Sequence, residues 1–205
     1  MLAAAGQPRV IVDVEITVQE GTWERSWSGP DDHKEIVQIG AVKIDPEDFS
    51  ILDRFEMLVR PQRVSQLSAL FTRLTGITQE MVERDGVSFP EAYASFAAFR
   101  RNLPLHSYGG SRFGGDTSVF AENFVMHAMP KPADWPTNDM ANLAPWFHEH
   151  APETKGNNSG RLVTALGLRV PEGEHTGLAD CLSIVESMKY LVQKRGIPSP
   201  FRPRL

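Results

Sequence analysis

The stretch Val10-Ile11-Val12-Asp13-Val14-Glu15 sets two carboxylates into an otherwise apolar, β-branched run. Such a run reads as a strand, and successive side chains of a strand point to opposite faces, so Asp13 and Glu15 share one face. Side by side they repel. At neutral pH one is protonated unless a cation sits between them, and oxygen-only ligands favour a hard divalent ion such as magnesium or manganese. The pair is half of a metal site whose other half must come from acids distant in sequence.

The strongest partner is His175-Thr-Gly-Leu-Ala-Asp180, where a histidine and an aspartate open a helix-periodic apolar segment and supply a carboxylate and a base together. Asp116 follows Gly114-Gly115 and precedes Phe120 and Phe124, a spacing that suits the first turn of another helix. Each residue also has a plain structural reading. Asp13 and Glu15 could end a polar strand, Asp116 could cap a helix after glycines, and His175 alone could be a surface or capping histidine.

Taken in order, Asp13-x-Glu15, Asp116 and His175-x4-Asp180 resemble the motifs of the DEDDh group of 3'-to-5' exonucleases. The stretches Asp13-Val-Glu-Ile-Thr17, Glu35-Ile-Val-Gln-Ile-Gly40, Gln66-Leu-Ser68, Leu74-Thr-Gly-Ile-Thr78 and Ser88-Phe-Pro90 are similar to the branch that includes the ERI-1 and histone-mRNA exonucleases. The likeness runs through roughly the whole chain. It implies a ribonuclease H-like architecture and hydrolysis at the 3' ends of single-stranded nucleic acid, RNA favoured and DNA possible, releasing nucleoside 5'-monophosphates.

The resemblance further implies two divalent cations, Mg2+ or Mn2+, that clamp the attacking and leaving oxygens. Asp13 would bridge both ions, Glu15 and Asp180 would help hold the one that binds the nucleophilic water, and Asp116 would act at the other, mainly through water. His175 would take the water's proton, a role suited to a group whose unperturbed pKa lies near working pH. Leu74, Gly76 and Ile77 would cradle the last sugar and base, with Val14 adding backbone contacts. The same Leu74–Thr78 segment also reads as a plain link between helices.

The 205 residues, with 41% hydrophobic and 23% charged side chains, are enough for one sizeable core and carry no mark of a second domain. The expectation is a single exonuclease domain over 1–205, with its core at about 8–195. Cys181 is the sole cysteine, which excludes an intrachain disulfide and a cysteine-rich zinc site, and its place on the last helix suggests packing. No basic lead precedes a signal-like run, and no apolar run approaches the roughly 20 residues that cross a bilayer, so a soluble, cytoplasmic protein without a membrane partner is expected. Twenty-one basic against 26 acidic residues, net −5, argue against coating duplex DNA through a broad basic face. A short single-stranded end needs only a local groove with stacking surfaces.

Along the chain, strands are expected at Arg9–Glu15, Ile36–Ile44 and Ile51–Val59, an antiparallel meander joined by short links. Ser65 to Asn102 is helical, with Pro90 placed to begin Glu91–Arg101. Leu105–Tyr108 follows as a strand parallel to the first, reached by helical crossover. Then come a helix at Asp116–Met126, a proline-rich loop at Met129–Pro136, an edge strand at Asp139–Leu143, further helices, and the last helix from Gly177 to Lys194. This is an α/β fold with a mixed sheet flanked by helices.

Phe147-His148-Glu149-His150 places its histidines two apart, not the four that a helical zinc motif needs, so it reads as a solvated helix end. The glycines at 109, 110, 114 and 115 lack a following Gly-Lys-Ser/Thr and read as a turn. The stretch Gln19–Lys34 carries Trp23 and Trp27 directly after the acidic pair. Either these rings touch substrate, or they pin the loop to the domain. Two rival functions stay open: a nucleic-acid-binding scaffold without catalysis, and a phosphodiesterase of very short oligonucleotides. Protein partners are unknown from the sequence.

Overall fold

The acidic run forms the centre of the sheet. The computed structural model describes residues 6–30, 32–109, 115–133, 135, 141–169 and 176–201. In chain order these give β1 (Arg9–Ile16), α1 (Thr22–Arg25), β2 (Ile36–Ile44), β3 (Ile51–Leu58), α2 (Ala69–Thr75), α3 (Gln79–Asp85), α4 (Phe89–Arg100) and β4 (Leu105–Ser107). There follow α5 (Gly115–Met126), β5 (Ala141–Asn142), α6 (Ala144–His150), α7 (Leu162–Ala165) and α8 (Gly177–Gln193). The strands lie in the order β3-β2-β1-β4-β5. β1 pairs antiparallel with β2, and β2 with β3, while β4 runs parallel to both β1 and β5.

β1 and β2 are buried on both faces, and alternation assigns each residue to one helical layer. Val10, Val12 and Val14 face α4 and α5 and pack with Phe89, Phe96, Phe120 and Phe124. Ile11, Val42 and Ile44 face the opposite way onto α8, against Cys181, Ile184, Val185 and Met188. Cys181 is fully buried, in keeping with a packing role. β3 is one of the two edge strands and exposes Asp53, Arg54 and Glu56, charges that discourage pairing with another chain. No helix among the described residues is long and apolar enough to cross a membrane.

Several boundaries differ from the sequence expectation. The helical region after Ser65 is three helices, because Gly76 closes α2 in the left-handed conformation (φ 72°) and Gly86 closes α3. α4 starts at Phe89 rather than Glu91, since Ser88 and Glu91 form a reciprocal capping box that outranks Pro90 as the start signal. A short helix, α1, interrupts the polar stretch after β1. The edge strand narrows to Ala141–Asn142, and residues 139 and 140 lie outside the described set. His148 does not end in solvent: its Nε2 lies 3.1 Å from the Tyr108 hydroxyl.

His106, in β4, is buried with neither ring nitrogen hydrogen-bonded among the described residues. Burial, and then the nearby Arg9 charge, lower its pKa from 6.5 to about 4. Between those values the unfolded chain binds a proton that the folded chain refuses, so folding stability is complete above pH 6.5 and falls as pH drops toward 4. The loss amounts to roughly 3 kcal/mol. Replacing His106 with leucine removes the titrating group, so denaturant unfolding at stepped pH should show wild type falling behind His106→Leu by about that amount between pH 6.5 and 4. Parallel curves would refute the assignment.

Candidate active site

Asp13 and Glu15 project from β1 toward the layer that holds α8. That helix meets the sheet backbone to backbone: a Cβ on Gly40 would lie 2.1 Å from the Gly177 carbonyl carbon and 2.2 Å from the Leu178 nitrogen. A Cβ on Gly177 would in turn lie 2.8 Å from the Asp13 carbonyl oxygen. The Gln38 side chain accepts the Gly177 N–H at 2.8 Å, and the Thr176 hydroxyl caps α8 by accepting from Ala179. Asp180, in the first turn, is thereby brought over β1. Ligand oxygens of Asp13, Glu15 and Asp180 lie within 4.8 Å of one another.

Asp116 occupies the first turn of α5 and is not the residue that caps it. Asn123, one face further along, fixes this helix: its Oδ1 accepts from Ile36 N at 3.0 Å, and its Nδ2 donates to the Lys34 carbonyl at 2.8 Å. Asp116 is outside the tight trio, yet its charge raises the pKa of both Asp13 and Glu15.

Burial raises Asp13 well above the usual carboxylate range, followed by repulsion from Asp180, Asp116 and Glu15, with the Ser159 hydroxyl opposing. Glu15 is pushed up to about 8 by burial and then by Asp180 and Asp116. Asp116 rises to about 7 through burial, opposed by a hydrogen bond from Ser107 and reinforced by Asp180. One Asp116 oxygen, Oδ2, is buried without a hydrogen-bond partner among the described residues. Four mutually repelling carboxylates, an unpartnered buried oxygen and an all-oxygen donor set fit a hard divalent cation. His175 lies outside the described residues.

The residues considered for substrate are dispersed in burial. Leu74 is 41% exposed, Gly76 is an exposed C-cap, and Ile77 and Val14 are buried in the core. Gly76, Ile77 and Thr176 line a groove of about 610 Å³ together with Gln38, Glu56 and Leu58. Trp23 is 48% exposed and meets Trp27 edge-on at 4.7 Å between ring centroids. An ion pair between Glu20 and Arg73 at 3.4 Å joins this loop to α2.

Some contributors gave no signal as isolated letters. Ser159, Ser107 and Asn123 are ordinary polar residues until tertiary contacts bring them to the acids or to α5. Gly40 and Gly177 stand within the quoted motifs, but a close approach of two backbones is not written in either local stretch.

A family model described as "Exonuclease" matches residues 10–188, which take in β1 through most of α8. The chain is 36% identical over 81 residues to human 3'-5' exoribonuclease 1, covering 40% of this chain and 21% of that protein. It is 32% identical over 127 residues to ERI1 exoribonuclease 2 of Danio rerio, covering 62% and 21%. The matched stretches thus span only about a fifth of those relatives' length. The fold also matches the nuclease domain of 3'hExo, described as a DEDDh family member bound to rAMP, with a TM-score of 0.72 and 21% identity over 92% of this chain and 93% of that one. The mixed sheet is therefore of the ribonuclease H-like kind, and, with the family model spanning the strands and helices that carry all four acids, the chain belongs to the exonuclease family.

Proposed function

We propose that this protein is a metal-dependent 3'-to-5' exonuclease that removes nucleoside 5'-monophosphates from single-stranded nucleic acid, with RNA the favoured polymer. The observation that carries the reading is the convergence of Asp13, Glu15 and Asp180 within 4.8 Å, with Asp116 near enough for its charge to repel theirs. Two divalent cations, Mg2+ or Mn2+, would be held by these four acids and, when bound, supply Lewis-acid stabilisation of the charge that develops on the phosphorus oxygens. Asp13, which lies with Glu15 and Asp180 in the tight trio, would be the central ligand of the set. His175 would accept the proton of the attacking water, whose oxygen bonds to phosphorus as the bond to the 3' oxygen of the preceding nucleotide breaks. That proton has to leave in any case, and a neutral imidazole takes it near neutral pH. The preference for RNA rests on the exoribonuclease relatives.

Leu74, Gly76, Ile77 and the backbone of Val14 would seat the terminal nucleotide, with the groove beside Gly76 and Thr176 providing room. Trp23 and Trp27 would add a stacking surface for upstream bases. The loop already has another pin: Asp32 accepts from Gly29 N, from Thr22 Oγ1 at 3.1 Å and from Arg25 at 2.9 Å. Ser26 and Trp27 both sit at positive φ, 54° and 56°, a strained backbone for a bulky residue. An exposed ring on a loop that does not need it for anchorage suits base stacking, worth about 1–3 kcal/mol per base. A Trp23→Ala, Trp27→Ala double variant should bind a single-stranded oligonucleotide at least about tenfold more weakly. Unchanged affinity removes both residues from the substrate path.

The deciding experiment incubates the full chain with 5'-labelled single-stranded RNA and DNA in magnesium, manganese or chelator. Shortening from the 3' end that requires metal supports the reading. Binding without shortening would favour a scaffold, and cleavage of dinucleotides alone would favour a short-oligomer phosphodiesterase.

A further inference from the structure

We propose that Ser159 is a positioning residue of the metal site: its hydroxyl orients Asp180 for a cation shared with Asp13 and Glu15. The proposal rests on the metal-dependent reading above and names a further residue on which that site depends.

Ser159 lies in a 3-10 turn, Ser159–Arg161, well before α8 in sequence and buried beneath it. Its Oγ donates to Asp180 Oδ2 at 2.8 Å. Asp180 in turn lies in the trio whose ligand oxygens fall within 4.8 Å of one another, so the acid that Ser159 holds is the one set against Asp13 and Glu15. One hydroxyl carries one proton, and here it is committed to Asp180.

Its placement is fixed from three sides. Asn158 caps the turn by accepting from Arg161 N at 3.1 Å. Ser183, one turn beyond Asp180 on α8, donates to the Ser159 carbonyl at 2.7 Å. Gly160 lets the turn close on the acid, since a Cβ there would fall 2.5 Å from Asp180 Oδ1. The turn is thus fitted to the carboxylate rather than merely adjacent to it.

The chemistry of the donor matters. A lysine or arginine at this point would neutralise the acids and compete with a cation for them. A hydroxyl holds the carboxylate in place and adds no charge. Partners that orient metal ligands in this way typically contribute 10- to 100-fold in metal affinity.

The test is titration of the metal-free full chain with Mn2+ by calorimetry, for wild type, Ser159→Ala, Ser159→Thr and Asp180→Asn, with melting temperatures in chelator measured alongside. Ser159→Ala should raise the Mn2+ Kd by about 10- to 100-fold. The melting temperature in chelator should stay near wild type, and the Mn2+ concentration for half-maximal hydrolysis should rise by a similar factor with the rate recovered at saturation. Ser159→Thr, which keeps the hydroxyl, should restore affinity. An unchanged Kd in Ser159→Ala, whether or not its metal-free melting temperature drops, overturns the proposal and leaves the metal reading intact. If wild type and Asp180→Asn fail alike to bind Mn2+, the metal reading falls, and the role of Ser159 with it.

Discussion

Asp13→Asn is expected to abolish trimming of a labelled oligonucleotide, by roughly a thousandfold or more, while making the metal-free protein more stable. The first half follows from position: Asp13 is the acid that faces Asp180, Asp116 and Glu15 at once. Losing the stabilisation that cations at this site would supply removes several kcal/mol, and each 1.4 kcal/mol is a factor of ten in rate. The second half follows from repulsion. Every neighbouring charge acting on Asp13 raises its pKa, so in chelator its ionisation works against folding. The asparagine keeps the shape and removes the charge. At pH 8 in chelator the variant should melt higher than wild type by about 3 °C or more, and Mn2+ should raise the melting temperature of wild type far more than that of the variant. A variant that melts lower in chelator and responds normally to Mn2+ would show Asp13 to be an architectural residue.

Gly40→Ala should be nearly as damaging without touching a single acid. Its new Cβ would meet the Gly177 carbonyl carbon at 2.1 Å and the Leu178 nitrogen at 2.2 Å, backbone atoms at the start of α8 that have no rotamer to change. The helix must move by more than 1 Å to reach ordinary contact, and Asp180 moves with it. Overpacking of this kind costs about 1–3 kcal/mol or more. A 1 Å displacement of a catalytic group can cost about a hundredfold in rate. Both losses should appear together, as weaker Mn2+ binding and an activity at least about a hundredfold down in protein that still unfolds cooperatively. Normal activity in Gly40→Ala would mean that α8 can slide without disturbing the site.

These two residues also show what could be read from letters alone. The β-branched apolar run around Asp13 and Glu15 could be read as a strand, and residues two apart in a strand share a face whatever covers the sheet. β2 was legible for the same reason, and α8 from its long apolar periodicity. The Ser65–Asn102 region was read as helical but not as three helices, since its breaks depend on Gly76 and Gly86 adopting particular end geometries. Asp116 could be named but not distinguished from a cap until the first turn of α5 was placed. Ser159 could not be found: a serine in a polar loop acquires meaning only when α8 folds down on it. His175 was legible as a motif, and its placement lies outside the described residues.

The docking of the start of α8 onto Gly40 and Asp13 has a consequence for when activity can exist. Two of the acids lie in the first strand and one in the last helix, so nearly the whole chain must be laid down before the set is complete. A growing polypeptide would carry Asp13 and Glu15 for most of its synthesis, and Asp116 for the later part of it, with the set still lacking Asp180. On the proposed reading hydrolysis would begin only when α8 settles, and nuclease activity would itself report that the fold has closed.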